Sequence, residues 1–151
     1  MHGRRHGEPP YRRVVVHGGP GAPGSALGIA NLLPRALEPY QSAVTVEGQI
    51  DELAQAISDD AQPPVVLIGH SWGAMLALLT AARHPILVAK VILVCSGGFS
   101  AEAYAQTDGN RMSRLSPKDR ERAEEIKRLR RESPEDRLAE LTHDYYEVIS
   151  K

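Results

Sequence analysis

The sequence predicts an α/β fold, a parallel β-sheet of about four strands with flanking helices, followed by two charged helices that resemble a lid. Three observations carry this. Short β-branched runs alternate with longer stretches of helical apolar spacing, and two glycine-bearing turns directly follow such runs. Beyond Phe99 the composition changes, and about half of the residues from Arg111 onward are charged, with both signs present. The α/β core is expected over residues 11–100 and the helical segment over 101–151.

The first strand is expected at Val14-Val15-Val16, which ends in a glycine turn. From Gly24 to Leu33 the apolar residues Leu27, Ile29, Leu32 and Leu33 suit a short helix, and Arg35 to Glu38 a short strand before Pro39. Thr45 is placed to cap a helix over Val46 to Ser58, in which Ile50, Leu53, Ala54 and Ile57 recur on one face until Pro63-Pro64 ends the run. Val65 to Ile68 and Lys90 to Val94 read as strands buried on both faces, separated by an apolar helix over Trp72 to Arg83. Strands alternating with helices make right-handed βαβ units, so these strands should be parallel, with helices on both faces. Further on, Ser116-Pro117-Lys118-Asp119 and Ser133-Pro134-Glu135-Asp136 each offer a serine cap, a proline at the first helical position and an acid three residues after the serine. The apolar positions of these two helices, such as Ile126, Leu129, Leu141 and Tyr145, form narrow stripes.

Composition removes several functional classes. A 151-residue chain with 42% hydrophobic residues can bury one core and is too short for two full domains. The net charge of -1 supplies no field for a phosphate backbone, so nucleic acid is not the expected partner. No apolar run reaches the roughly 20 residues needed to cross a bilayer, since Arg83, His84 and Lys90 interrupt the most hydrophobic region, and no membrane partner is expected. Cys95 is the single cysteine, which excludes an internal disulfide, and residues 1–12 are basic without the apolar run of a signal peptide, so the expected address is the cytoplasm.

The chemistry concentrates at two turns. Gly69-His70-Ser71-Trp72-Gly73 stands between an expected strand and an expected helix. Side chains at either glycine would collide with the neighbouring strand and helix, and the strained turn lifts the serine hydroxyl above the sheet edge. Ser71 then becomes a candidate nucleophile near the positive end of a helix, where the Trp72 amide can donate to an oxyanion. The other turn, His17-Gly18-Gly19-Pro20-Gly21, again directly follows a strand. Acyl transfer needs at least two preorganised N–H donors, and Pro20 has none. Gly19 is the first choice for the second donor, ahead of Gly18 and Gly21.

The pairing of HGGPG after one strand with GHSWG after a later one resembles the α/β-hydrolase superfamily, in particular the proline iminopeptidase-like serine hydrolases. The resemblance runs from about Arg13 to Phe99 and likens Val14–Val16, Arg35–Glu38, Val65–Ile68 and Lys90–Val94 to the third to sixth strands of that fold. It implies hydrolysis of ester, amide or peptide bonds through an acyl-enzyme on Ser71, with a small-molecule or peptide substrate. Where the family carries an Asp-Gln-Arg-Gly type of turn, this chain has Leu37-Glu38-Pro39-Tyr40-Gln41-Ser42, so an acyl or ester hydrolase is implied more firmly than an aminopeptidase.

The family's acid and histidine follow two further strands, for which no β-branched run exists after Val94. His17 and His70 belong to the turns themselves and read as residues that shape the pocket with Gly18, Tyr40 and Phe99. His84 is at the far end of the Ser71 helix, roughly 20 Å away. His143, beside Asp144, remains as the weakest candidate for the base, because an adjacent pair does not orient the acid toward the ring. The expected molecule is therefore a truncated serine hydrolase lacking the acid and histidine of its triad. The alternative is a catalytically silent relative that binds a small molecule.

Other features carry less. Cys95 is expected to be a buried apolar residue. The indole of Trp72 is expected along the substrate pocket. His2 and His6 have a helical metal-site spacing, but the glycines and arginines around them suggest a frayed cationic terminus, and neither a metal nor a cofactor is expected. The first two strands of the usual sheet are expected to be absent, with too few residues before Val14 for a hairpin. Raw sheet edges or the lid helices could support a homodimer.

Overall fold

The computed structural model describes residues 3–134 and 137–150. Its contacts divide the chain at Gly97/Gly98 into two compact units. The first contains a five-stranded sheet in the order β1-β3-β2-β4-β5. Its strands are β1 (Gly3–His6), β2 (Arg13–Val16), β3 (Ala36–Pro39), β4 (Val65–His70) and β5 (Val88–Val94). Strands β2 to β5 are parallel to one another, as their crossovers require, and β1 is antiparallel to β3. Three helices accompany them: α1 (Leu27–Ala30), α2 (Val46–Asp60) and α3 (Trp72–Arg83).

The sheet's period of two assigns its faces. Val14, Val16, Leu37, Val65 and Leu67 share a core with Ile50, Leu53 and Ile57 of α2 and Leu76 and Ala77 of α3. Val15, Ala36 and Ile68, the intervening residues, turn the other way and pack with Ala26 and Ala30 at α1. Each such Val, Leu or Ile contributes about 1.5–3 kcal/mol on burial. Thr45 caps α2 by accepting the Gly48 amide at 3.1 Å.

Two expectations about this unit need correction. The N-terminal segment is strand β1, with Arg4 opposite Glu38 and His6 opposite Ala36, where a frayed terminus was expected. Because β1 pairs with β3 and not with β2, no hairpin is needed, and the six residues 7–12 suffice to pass the width of one strand. His2, the other histidine of the metal-site spacing, lies outside the described residues. Arg5 points to the α2 side and pairs with Asp60 at 2.7 Å. Cys95, expected to be buried, is exposed. It follows β5, which pairs with β4 alone among the described residues and leaves Ile92 and Leu93 partly exposed.

Among the described residues, the second unit has three helices where two were expected: α4 (Ala101–Arg114), α5 (Pro117–Glu132) and α6 (Leu138–Ile149). Helix α4 escaped notice because AEAYAQTDGNRMSR lacks an apolar stripe; its start is set by Ser100, whose hydroxyl accepts the Ala103 amide at 3.2 Å. Helix α5 begins as its serine-proline signal predicts, with Ser116 accepting the Asp119 amide. Helix α6 begins at Leu138, later than the second signal predicts, and Ser133 caps the end of α5 instead. Glu135 and Asp136 of that signal lie outside the described residues. Met112, Leu115, Ala123, Ile126, Leu141, Tyr145 and Val148 form the small core of this unit. Beside it, the Lys127 ammonium hydrogen-bonds Asp108 at 2.7 Å and holds that carboxyl below its ordinary range. No described helix is long and apolar enough to cross a membrane.

Candidate active site

Ser71 stands between β4 and α3 with φ 54° and ψ -118°, a conformation in which a non-glycine residue is strained. Sterics keep it there. A Cβ on Gly69 would lie 2.2 Å from the Gly73 carbonyl oxygen, and one on Gly73 would lie 2.1 Å from that of Val16. The end of β4 thus lies directly against the first turn of α3, and that turn against the end of β2. The Ser71 amide donates to the Val94 carbonyl at 3.0 Å, which ties the turn to β5 as well. These are backbone contacts that no side-chain exchange elsewhere can replace.

The glycine loop after β2 approaches the same point. A Cβ built on Gly18 would lie 3.3 Å from Ser71 Cβ, 3.4 Å from His70 Nδ1 and 3.2 Å from Ser25 Oγ. The loop is held mostly by side chains. Gly18 donates its amide to Ser25 Oγ at 2.9 Å, and Gly21 donates to Gln41 Oε1 at 3.3 Å. Gln41 donates in turn to the His17 carbonyl at 2.8 Å, and Gly24 donates to Glu38 Oε1 at 3.0 Å. With the amides of Gly18 and Gly21 engaged, Gly19 has the amide of this loop for which no hydrogen bond is present among the described residues.

The two histidines differ. His17 is fully buried, with Nδ1 2.9 Å from the Gly18 carbonyl oxygen. A carbonyl only accepts, so Nδ1 carries the hydrogen in this contact. His17 Nε2 and His70 Nδ1 are both buried without a hydrogen-bond partner. The indole of Trp72 donates to Gln49 Oε1 of α2 at 2.8 Å, and Gln49 itself donates to the Ala43 carbonyl at 2.9 Å. Tyr40 is half-exposed between Glu38 and Gln41.

Of the remaining predicted residues, one ends α3 and two are in the second unit. His84 ends α3, and its Nε2 is also unpaired. Phe99 and His143 are in the second unit. His143 is exposed on α6 with Nε2 3.8 Å from Glu147, one turn away, while its neighbour Asp144 is 3.9 Å from Arg122. The pair His143-Asp144 is therefore not joined by a hydrogen bond. Among the described residues, no group of three histidines, cysteines or carboxylates could hold a metal ion.

Sequence reasoning passed over Ser25, Glu38 and Gln41, which brace the glycine loop. One signal was available: a glutamate between Leu37 and Pro39 in an otherwise apolar strand is an ionisable group needing a buried partner. Gln41 and Ser25 offer no comparable signal, since polar residues in loops are ordinary.

Comparison with known proteins agrees with this architecture. A local match to the lipase LipV of Mycobacterium tuberculosis is 31% identical over 64 residues, 42% of this chain and 24% of that protein. The structure of VinJ superposes with a TM-score of 0.74 at 21% identity, covering 95% of this chain and 55% of VinJ. The proline iminopeptidase of Mycobacterium smegmatis superposes with a TM-score of 0.64 at 21% identity, covering 95% of this chain and 52% of that one. At these identities the two structures speak for the fold alone, and this chain spans about half the length of each. The model of the alpha/beta hydrolase family matches residues 4–148. That match takes in both the strained serine and the glycine loop, and the chain belongs to the alpha/beta hydrolase family.

Proposed function

We propose that this chain carries the nucleophile and oxyanion half of a serine hydrolase site that cleaves ester, amide or peptide bonds through an acyl-enzyme on Ser71. The observation that carries the proposal is the strained conformation of Ser71 at the start of α3, fixed by two glycines that tolerate no side chain. Strain at a residue that the surroundings over-determine is characteristic of a functional position. In this reading Ser71 Oγ attacks the substrate carbonyl carbon, and the carbonyl π electrons move onto the oxygen. The amides of Gly19 and Trp72 donate to that oxyanion. The serine proton passes to a base and then to the leaving alcohol or amine; water hydrolyses the acyl-enzyme and restores the hydroxyl.

The base and its acid are proposed to come from the length of chain that the matched structures have and this one does not span. Without them the donors alone would leave a rate on the order of 10³ to 10⁴ over water. A fluorophosphonate probe tests the nucleophile. Ser71 should be labelled, more slowly than the serine of a hydrolase with its base in place, and Ser71→Ala should abolish the labelling while leaving the residual ester turnover of the donors.

A second reading, a catalytically silent relative that binds a small molecule, has one observation in its favour. No hydrogen bond joins the Ser71 hydroxyl to a histidine among the described residues. That reading requires ligand affinity unaffected by Ser71→Ala and no labelling of the unchanged protein.

A further inference from the structure

Glu38 is the one fully buried carboxylate among the described residues, and the chemistry above does not use it. Its position on β3 directs it to the α1 side of the sheet, the same side as Arg4 and His6 of β1. Its Oε1 accepts the Gly24 amide at 3.0 Å, and its Oε2 is 3.4 Å from Arg4 Nη1 and 3.6 Å from His6 Nε2. A buried charge is costly unless it is paired and hydrogen-bonded, so this arrangement persists only with its partners in place.

What Glu38 holds leads directly to the site. Gly24 precedes Ser25, and Ser25 Oγ accepts the amide of Gly18. Gly18 packs on Ser71 Cβ and is bonded covalently to Gly19. A continuous path therefore runs from Arg4 through Glu38, Gly24, Ser25 and Gly18 to the Gly19 amide. We propose that Glu38 is a positioning residue for the glycine loop: anchored by Arg4 of β1, it fixes the Gly24-Ser25 turn and thereby the direction of the Gly19 N–H. The inference rests on the reading of that amide as an oxyanion donor. It gives β1 a role in the site that its sequence, GRRH, does not announce.

The test compares the unchanged chain with Glu38→Ala and Glu38→Gln, by amide hydrogen exchange and by fluorophosphonate labelling. In Glu38→Ala, exchange at Gly24 and Gly18 should accelerate about tenfold or more relative to sheet amides such as those of Val15 and Ile68. The maximal labelling rate should fall about tenfold, with the concentration for half-maximal rate unchanged, because the probe still binds while the donor is misdirected. Glu38→Gln keeps an acceptor for Gly24 and should restore both readouts to within about threefold. Equal acceleration at loop and sheet would mean a merely structural carboxylate and would overturn the proposal, as would unchanged exchange at Gly24. Should Glu38→Ala fail to fold, Arg4→Gln at a half-exposed position decides instead: faster exchange at Gly24 supports the anchor, and an unchanged rate overturns it. If the unchanged chain is never labelled, the nucleophile reading falls, while the exchange comparison still decides what Glu38 holds.

Discussion

The two turns that meet at Ser71 are held in opposite ways. The serine turn is fixed by backbone against backbone: Gly69 against Gly73, Gly73 against the end of β2, and the Ser71 amide on Val94. The glycine loop is fixed by side chains reaching in from elsewhere, Ser25, Glu38 and Gln41, with Arg4 behind Glu38. Close backbone packing cannot relax, because a misplaced methyl meets a carbonyl and not the end of a flexible chain. Side-chain braces can each be removed at the cost of a hydrogen bond. The position of Ser71 is thus all-or-none, whereas the position of the Gly19 amide can be tuned.

Substitutions can break that comparison in order of effect. Gly73→Ala would place its methyl about 2 Å from the Val16 carbonyl and should cost more than about 3 kcal/mol, read as a fall in the urea midpoint at unchanged slope. Gly69→Ala should cost nearly as much, for the same reason. A loss below about 1 kcal/mol in either would mean that the turn can move and would remove the distinction.

Next comes Gln41→Ala, which takes a donor from the His17 carbonyl and an acceptor from the Gly21 amide. About 1–2 kcal/mol is expected, with faster amide exchange confined to residues 17–24. If the loss instead spread to β4 and α3, the two turns would be mechanically one. Ser71→Gly should act in the opposite direction: relief of the positive φ outweighs the added chain entropy, for a gain of about 1 kcal/mol in unfolding free energy. No gain would mean that the serine's conformation is not strained here. The smallest expected effect is Ser25→Ala, about 1 kcal/mol or less, since one half-buried hydrogen bond is lost. Its mark should be slower Ser71 labelling rather than a shifted urea midpoint.

The same contrast explains what could be read in advance. The motif Gly69-His70-Ser71-Trp72-Gly73 was legible together with its flanking strand and helix because every constraint on it lies within a few residues along the chain or on the strands it touches. Thr45 and Ser116 were legible as caps for a similar reason: each bonds an amide three residues on. Strand β1 was not legible, because GRRH has no apolar alternation and its partners Glu38 and Asp60 are 34 and 55 residues away. Helix α4 was missed for want of an apolar stripe, and Cys95 was misjudged because an apolar strand does not reveal whether it lies at the edge of its sheet.

By itself, the sequence determined the α/β class, the parallel strands β2 to β5, the strained serine turn and the place of the glycine loop directly after β2. These follow from local periodicity and from residues whose backbone needs are their own. Only the tertiary structure decided that β1 adds a fifth strand, that Glu38 is buried against Arg4 and Gly24, and that Gln41 and Ser25 hold the loop beside Ser71. The physical reason is that a polar side chain has no preferred partner until the fold brings one within about 3 Å, whereas a glycine that must lack a side chain carries that requirement in its identity.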